Sequence, residues 1–230
     1  RAWLDDPARV YPVRVDPTVT TGTTGDVYVD NDSATSASDQ NGDNLPVGTY
    51  NGGTTKARSF IHFDEFDDDG LTGKRVTGAS LKLYLTWQYS CSEDRPFYVY
   101  PATESWTVAG LSASSYPGAS IAGSSIGSLT VTDPGDACTN TSANRSVGKW
   151  VTVPLSVATF NDWSSGGSNL GLALVSSVTD SYAWKRFTSA NYASAAYEAQ
   201  LSVTYTSNVL PQVDNRYPAN KVTVETLPPQ

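Results

Sequence analysis

The sequence predicts an all-β chain, an antiparallel β-sandwich of jelly-roll type. Three observations lead there. Short runs rich in β-formers alternate apolar and polar residues along most of the 230 residues. Clusters of Gly, Asn, Asp, Ser and Pro separate these runs and read as turns. Helical periodicity is almost absent, and many short strands with long loops suit a sandwich.

The elements follow in chain order. DVYV at 26–29 and RSFIHF at 58–63 are the first two predicted strands. ASLKLYLTWQY at 79–89 is the clearest: Leu81, Leu83 and Leu85 fall on one face, Lys82, Tyr84 and Thr86 on the other. That period of two marks a half-buried strand. PFYVY at 96–100, SLTVT at 128–132, KWVTVPL at 149–155, LGLALVSS at 170–177 and AQLSVTY at 199–205 complete the set. One helix is predicted within 156–166, where Val157, Phe160 and Trp163 recur every third residue between Ser156 and Gly166.

Composition bounds the function. The formal charge is -8 and the sequence pI about 4.5. An acidic surface repels phosphate backbones, so no nucleic-acid partner is expected. No apolar run approaches the roughly 20 residues that span a bilayer, so no membrane insertion is expected. The chain opens on Arg1 and holds no methionine, which reads as a mature or excised piece of something longer. Cys91 and Cys138 sit in polar, loop-like flanks, SCSEDRP and PGDACTNTS. They are expected to form a disulfide in a secreted or cell-surface protein, the alternative being two buried thiols.

Three parts are expected: residues 1–20 as an arm or lead-in from a preceding module, 21–206 as the sandwich, and 207–230 as a linker and the start of a following module, with a short strand at 221–225. The landmarks DVYVDN, LPVGTYNGG, KARSFIHFD, VTGASLKLYLTW, RPFYVYPATESWT, LGLALVSS, DSYAWKRFTSAN and LSVTY, in that order, carry a resemblance. The chain resembles the DNRLRE domain family, found in large secreted actinobacterial proteins that include RHS/YD-repeat types. The lead-in AWLDDPARVYPVRVDPTV at 2–19 is similar too. The resemblance implies a jelly-roll sandwich similar to carbohydrate-binding modules; such a fold does not fix an activity. The loop DNDSATSASDQNGDNLPVG departs from the family pattern, being longer and more acidic.

Two acidic stretches invite a cation. FDEFDDDG at 63–70 partly fits a calcium loop, but its twelfth position is Val76, which cannot coordinate. It reads as the end of a strand and a solvated turn. The better candidate for a structural Ca2+ is the loop holding Asp30, Asp32, Asp39, Asn41 and Asp43, with Asp26 at the start of a strand as a further ligand or a structural cap. The competing reading is a loop kept soluble by its polar residues.

The aromatic residues, 13 Tyr and 6 Trp among them, suggest a polysaccharide or cell-surface glycan as partner, because flat amphipathic rings stack on sugar faces. Alternation puts Trp87 on the leucine face, hence in the core. Tyr182, Trp184 and Arg186 share one parity and, with Tyr89, are the candidate carbohydrate-binding residues. The alternative is that Trp184 and Arg186 pack against the sandwich, Arg186 pairing a strand-end acid such as Asp64. No nucleophile elbow, phosphate loop or zinc motif is present, and His62 is the only histidine. The chain is therefore expected not to be an enzyme. The expectation is a carbohydrate-binding module of a large secreted protein, with a structural spacer beside the other domains of that protein as the alternative, and a polysaccharide-degrading domain behind both.

Overall fold

A computed structural model describes residues 17–32, 42–64, 71–111, 115–138, 148–192 and 194–206. The part of the acidic loop with Asp39 and Asn41, most of FDEFDDDG, residues 1–16 and the segment from 207 onward lie outside the described residues.

The described residues form an all-β sandwich of eleven antiparallel strands that curls toward closure. One layer is built on the long strand β5 (Arg75–Gln88). β8 (Lys149–Leu155) lies on one side of it, and β11 (Gln200–Thr206) lies on the other with β1 (Thr18–Gly22) outside β11. The short β10 (Lys185–Thr188) takes over from β11 at the far end of β5. The second layer runs from β2 (Gly25–Asp30) through β4 (Thr55–His62), β9 (Leu172–Ser176) and β6 (Pro96–Pro101) to β7 (Gly127–Thr130). β1 starts inside the segment read as a lead-in.

β3 (Asn44–Tyr50) joins the layers. Its first half pairs with β10 and its last three residues with β4. The corner is Gly48, at φ +102 and so close to the neighbouring turn that an added Cβ would stand 3.1 Å from the Ala183 carbonyl oxygen. Only glycine meets both demands. At the opposite edge, Ser156 N donates to Ile126 O at 2.7 Å, tying the end of β8 to the start of β7.

The leucine face of β5 lies between the layers as its alternation predicts: Leu81, Leu83 and Leu85 are fully buried with Phe97, Phe187, Val153 and Leu201. The predicted helix is α1 (Ala158–Ser164), which buries Phe160 against this core. Asn161 beside it accepts from Val76 N at 2.9 Å and donates to Val76 O at 3.1 Å, acting as a strand partner for that residue. β4 is buried on both faces: Ile61 points into the main core, while Phe60 joins Val27, Val29, Ala173 and Trp106 in a second, smaller core outside the layer. Trp106 closes it, its Nε1 donating to Leu170 O at 2.8 Å and its ring stacked 4.0 Å from that of His62.

Trp87 departs from the expectation. Opposite β10, Phe187 faces Leu85 and Arg186 faces Trp87, so β5 carries one extra residue, Thr86, at this point. Such a bulge reverses the parity of everything beyond it. Trp87 turns to the outer face and stays half-exposed, while Gln88 turns inward and is buried. Cys91 and Cys138 form the expected disulfide, with Cα atoms 5.6 Å apart. Among the described residues, no helix is long and apolar enough to cross a membrane.

Candidate functional site

The bulge and the turn before β10 assemble an aromatic surface. Asp180 accepts from Tyr182 N at 3.0 Å and starts a single 3-10 turn, Ser181–Ala183. That turn presents Tyr182 to solvent beside Tyr89, which is fixed by donation from its own N–H to Trp184 O at 3.1 Å. Tyr89 and Tyr182 are 50% and 43% exposed, the two large apolar side chains most open to water among the described residues. Their rings meet edge to face at 5.7 Å, and Trp87 stands 6.0 Å from Tyr89. Edge-to-face packing of this kind fixes ring orientation without covering the outer faces.

Arg186 lies over Trp87 at 5.4 Å and over Trp184 at 5.9 Å, so it caps rings and does not stand at Asp64, whose carboxylate is 3.5 Å from His62 Nδ1. Trp184 itself is only 3% exposed, its ring 4.6 Å from that of Tyr50. Of the four predicted aromatic-site residues, the structure brings Tyr89, Tyr182 and Arg186 to the surface and places Trp184 beneath them.

Arg95 and Trp87 were not among the predicted residues. Arg95 sits 5.7 Å from the Tyr182 ring, and its guanidinium pairs with Asp180 at 2.5 Å and Glu93 at 3.2 Å. The hydrogen bond from Arg95 holds the Asp180 carboxyl below the usual carboxylate range, and the same bond raises Arg95. Two acids thus offset the arginine, leaving hydrogen-bonding edges and little net positive charge. Beyond Arg95 the surface dips into a hollow of about 350 Å³ lined by Tyr98, Tyr100, Ser177 and Thr179. Rings interleaved with hydroxyls suit a neutral, hydroxyl-rich ligand better than a phosphate backbone.

The acids are arranged otherwise. Asp26 and Asp30 are buried on β2, at 2% and 3% exposure. Asp30 Oδ1 accepts from Asp32 N at 3.1 Å, a turn contact. Asp43 contributes its backbone oxygen to Ser189 N at 3.2 Å. Asp26 Oδ2 accepts from Ala190 N at 2.7 Å, and its Oδ1 has no hydrogen-bond partner among the described residues. Burial pushes the Asp26 carboxyl up to about 7, against the Ala190 hydrogen bond and with help from the negative charge of Glu198. Among the described residues, no three His, Cys, Asp or Glu side chains form a group that could hold a metal ion.

No protein-family model matches the chain. It is similar to the tRNA nuclease WapA of Bacillus subtilis, 27% identical over 213 residues, and to the tRNA(Glu)-specific nuclease WapA of Bacillus subtilis subsp. natto, also 27% over 213. It is likewise similar to the tRNA3(Ser)-specific nuclease WapA of Bacillus spizizenii, 29% identical over 223 residues. Each alignment takes in 89% of this chain but only 8% of the relative, so the chain spans a small part of the length of these proteins. The names correct one expectation from the sequence: the chain was read as no enzyme, and all three relatives are named as enzymes. They also run against the exclusion of nucleic acid, since each relative is named for tRNA.

Proposed function

We propose that the chain is a carbohydrate-binding β-sandwich, of the DNRLRE type, within a large secreted or cell-surface RHS/YD-repeat protein that acts as a tRNA nuclease. The relatives' names support the nuclease part, and since the match takes in only 8% of each relative we propose it for the whole protein, not for this portion. The disulfide supports an oxidising location. The observation that carries the binding role is the outward pair Tyr89 and Tyr182, framed by Trp87, Arg186 and Arg95 and continued by the hollow at Tyr98 and Tyr100. Contact energy at such surfaces concentrates on a few aromatic and arginine residues. The role of this portion would be to hold the large protein on a glycan coat. The spacer reading has one observation in its favour, the burial of Trp184 beneath Tyr50.

The test is a pull-down on insoluble polysaccharides, cellulose, chitin and peptidoglycan sacculi, with the wild type and a Tyr89→Ala/Tyr182→Ala double variant. Binding by the wild type and at least a tenfold loss in the variant are expected, about 1.4 kcal/mol or more. Because both side chains are exposed, the variant should unfold within about 0.5 kcal/mol of the wild type. A wild type retained on none of the three, or a variant retained equally, would move the assignment to the spacer.

A further inference from the structure

We propose that the aromatic surface at Tyr89 and Tyr182 is one end of a longer track along β5, and that its ligand is an extended glycan chain lying across the outer face of the first layer. This rests on the glycan reading above and adds to it the path and the length of the ligand.

The first observation is register. Leu81, Leu83 and Leu85 fill the core, so Lys82 and Tyr84 point outward by alternation, and the bulge at Thr86 brings Trp87 to the same outer face. Tyr89 follows beyond the end of the strand. From Lys82 to Tyr89 the chain covers about 20 Å at ~3.3 Å per residue. Across the ladders, Tyr84 faces Trp150 of β8, and Lys82 lies between Thr152 of β8 and Gln200 of β11.

The second observation is a second cluster of rings on this face. Tyr84 is its floor, 6% exposed. Trp150 meets it edge-on at 5.2 Å, Tyr197 lies 4.3 Å from it, and Tyr192 stands 5.8 Å beyond Tyr197. Trp150, Tyr192 and Tyr197 are each half-buried, so part of every ring remains open to water. Their positions are fixed from both sides. The Thr188 hydroxyl donates to Tyr197 O and holds that loop, and a Cβ on Gly148 would stand 2.9 Å from Tyr84 Cε1, so the glycine admits the floor ring.

The third observation is that both clusters are built alike. Lys82 Nζ lies 4.4 Å over the Trp150 ring as Arg186 lies over Trp87, and Thr152 and Gln200 add hydrogen-bonding groups beside Lys82. Amphipathic rings interleaved with donors suit a chain of sugars, each with an apolar face and a hydroxyl edge. The large apolar side chains most open to water among the described residues are Tyr89 and Tyr182, so the face offers no broad aliphatic patch to a protein partner. A chain long enough to lie on both clusters gains the second contact within the same molecule, which raises affinity without a new partner.

Calorimetric titration of the folded chain with disaccharides and hexasaccharides cut from cellulose, chitin and sacculi tests this. Hexasaccharides of the series that binds should bind at least tenfold tighter than the disaccharide. Trp150→Leu, which keeps an apolar side chain on β8, should bring the hexasaccharide down to the disaccharide's affinity and leave the disaccharide unchanged. If that variant does not fold, Tyr197→Leu decides by the same readout. Tyr98→Ala should leave the length advantage intact. Equal affinity for the two lengths would overturn the track while the glycan site at Tyr89 and Tyr182 stands. An advantage kept in Trp150→Leu and lost in Tyr98→Ala would overturn it too, sending the chain through the hollow instead. A wild type that binds neither length and is retained on no polysaccharide would remove the glycan reading, and the track with it.

Discussion

β10 is four residues long, and a charge is buried at each of its ends under opposite conditions. At its start, Lys185 has no exposed surface and its Nζ has no hydrogen-bond partner among the described residues. Across the ladder lies Gln88, whose buried Oε1 likewise has no partner among the described residues, and the opposing charge that acts most strongly on the lysine is that of Asp94, whose Oδ1 also has no partner among them. Just past the other end, Asp26 has one oxygen tied to the backbone and a like charge for company. The lysine can become neutral by giving up its proton: burial holds it down to about 8, only partly opposed by Asp94. The acid becomes neutral by keeping its proton: burial pushes it up to about 7, only partly opposed by the Ala190 hydrogen bond. Desolvation thus drives both buried groups toward their neutral forms, the lysine by losing a proton and the acid by keeping one.

The largest way to break this contrast is at the lysine end. The loop carrying Asp94 and Arg95 is tied by Cys91–Cys138, a bridge with sequence separation 47. Closing a loop of that length is worth about 4 kcal/mol in the chain-entropy model. Cys91→Ser/Cys138→Ser should lose that much in urea unfolding; a loss under about 1 kcal/mol would show that the loop is held by its polar contacts alone.

Next comes Lys185→Met, which keeps the stem and removes the amine. The folded pKa of Lys185, about 8, lies below its unfolded value of 10.5, so the unfolded chain binds more protons between these limits. The cost of the charged amine is therefore full below about pH 8 and fades as pH rises toward 10.5. The variant should gain about 3 kcal/mol over wild type at pH 7 and much less at pH 10. Equal gains at both pH values would mean that the amine is paired in solution. The last effect is expected at the acid end: Asp26 rises from 3.8 to about 7 on burial, so the folded chain binds more protons between these limits and stability falls as pH rises through them. Asp26→Asn should remove that fall, and a urea-unfolding profile of the variant that still declines between pH 4 and 7 as the wild type does would place the buried acid elsewhere.

The main architecture was legible because its signals are local. Leu81, Leu83 and Leu85 declare their face by alternation, and the spacing of Val157, Phe160 and Trp163 declares a helix. Three strands escaped this reading: β1, which starts in the segment read as a lead-in, and β3 and β10. NLPVGTY contains a proline and a glycine that depress strand propensity, and KRFT offers four residues with two cations. Both are strands because their neighbours supply the hydrogen bonds.

The candidate sites divide in the same way. Tyr89 and Tyr182 could be named from the sequence as amphipathic rings near strand ends, but their contact across the bulge could not. Trp87 was assigned to the core by a parity that one extra residue, Thr86, inverts. Arg95 carried no local signal beyond its place just before a strand.

By itself, then, the sequence determined the class of fold, the leucine face of β5, the helix and the disulfide partners, since periodicity, turn residues and cysteine flanks are properties of contiguous chain. Only the tertiary structure decided which side Trp87 takes, that Trp184 lies beneath the surface while Tyr182 lies on it, and that Asp26 is buried against the Ala190 backbone. Register, bulges and the burial of an acid depend on partners far away along the chain. Their energies are set by desolvation and packing that exist only once the two layers have closed.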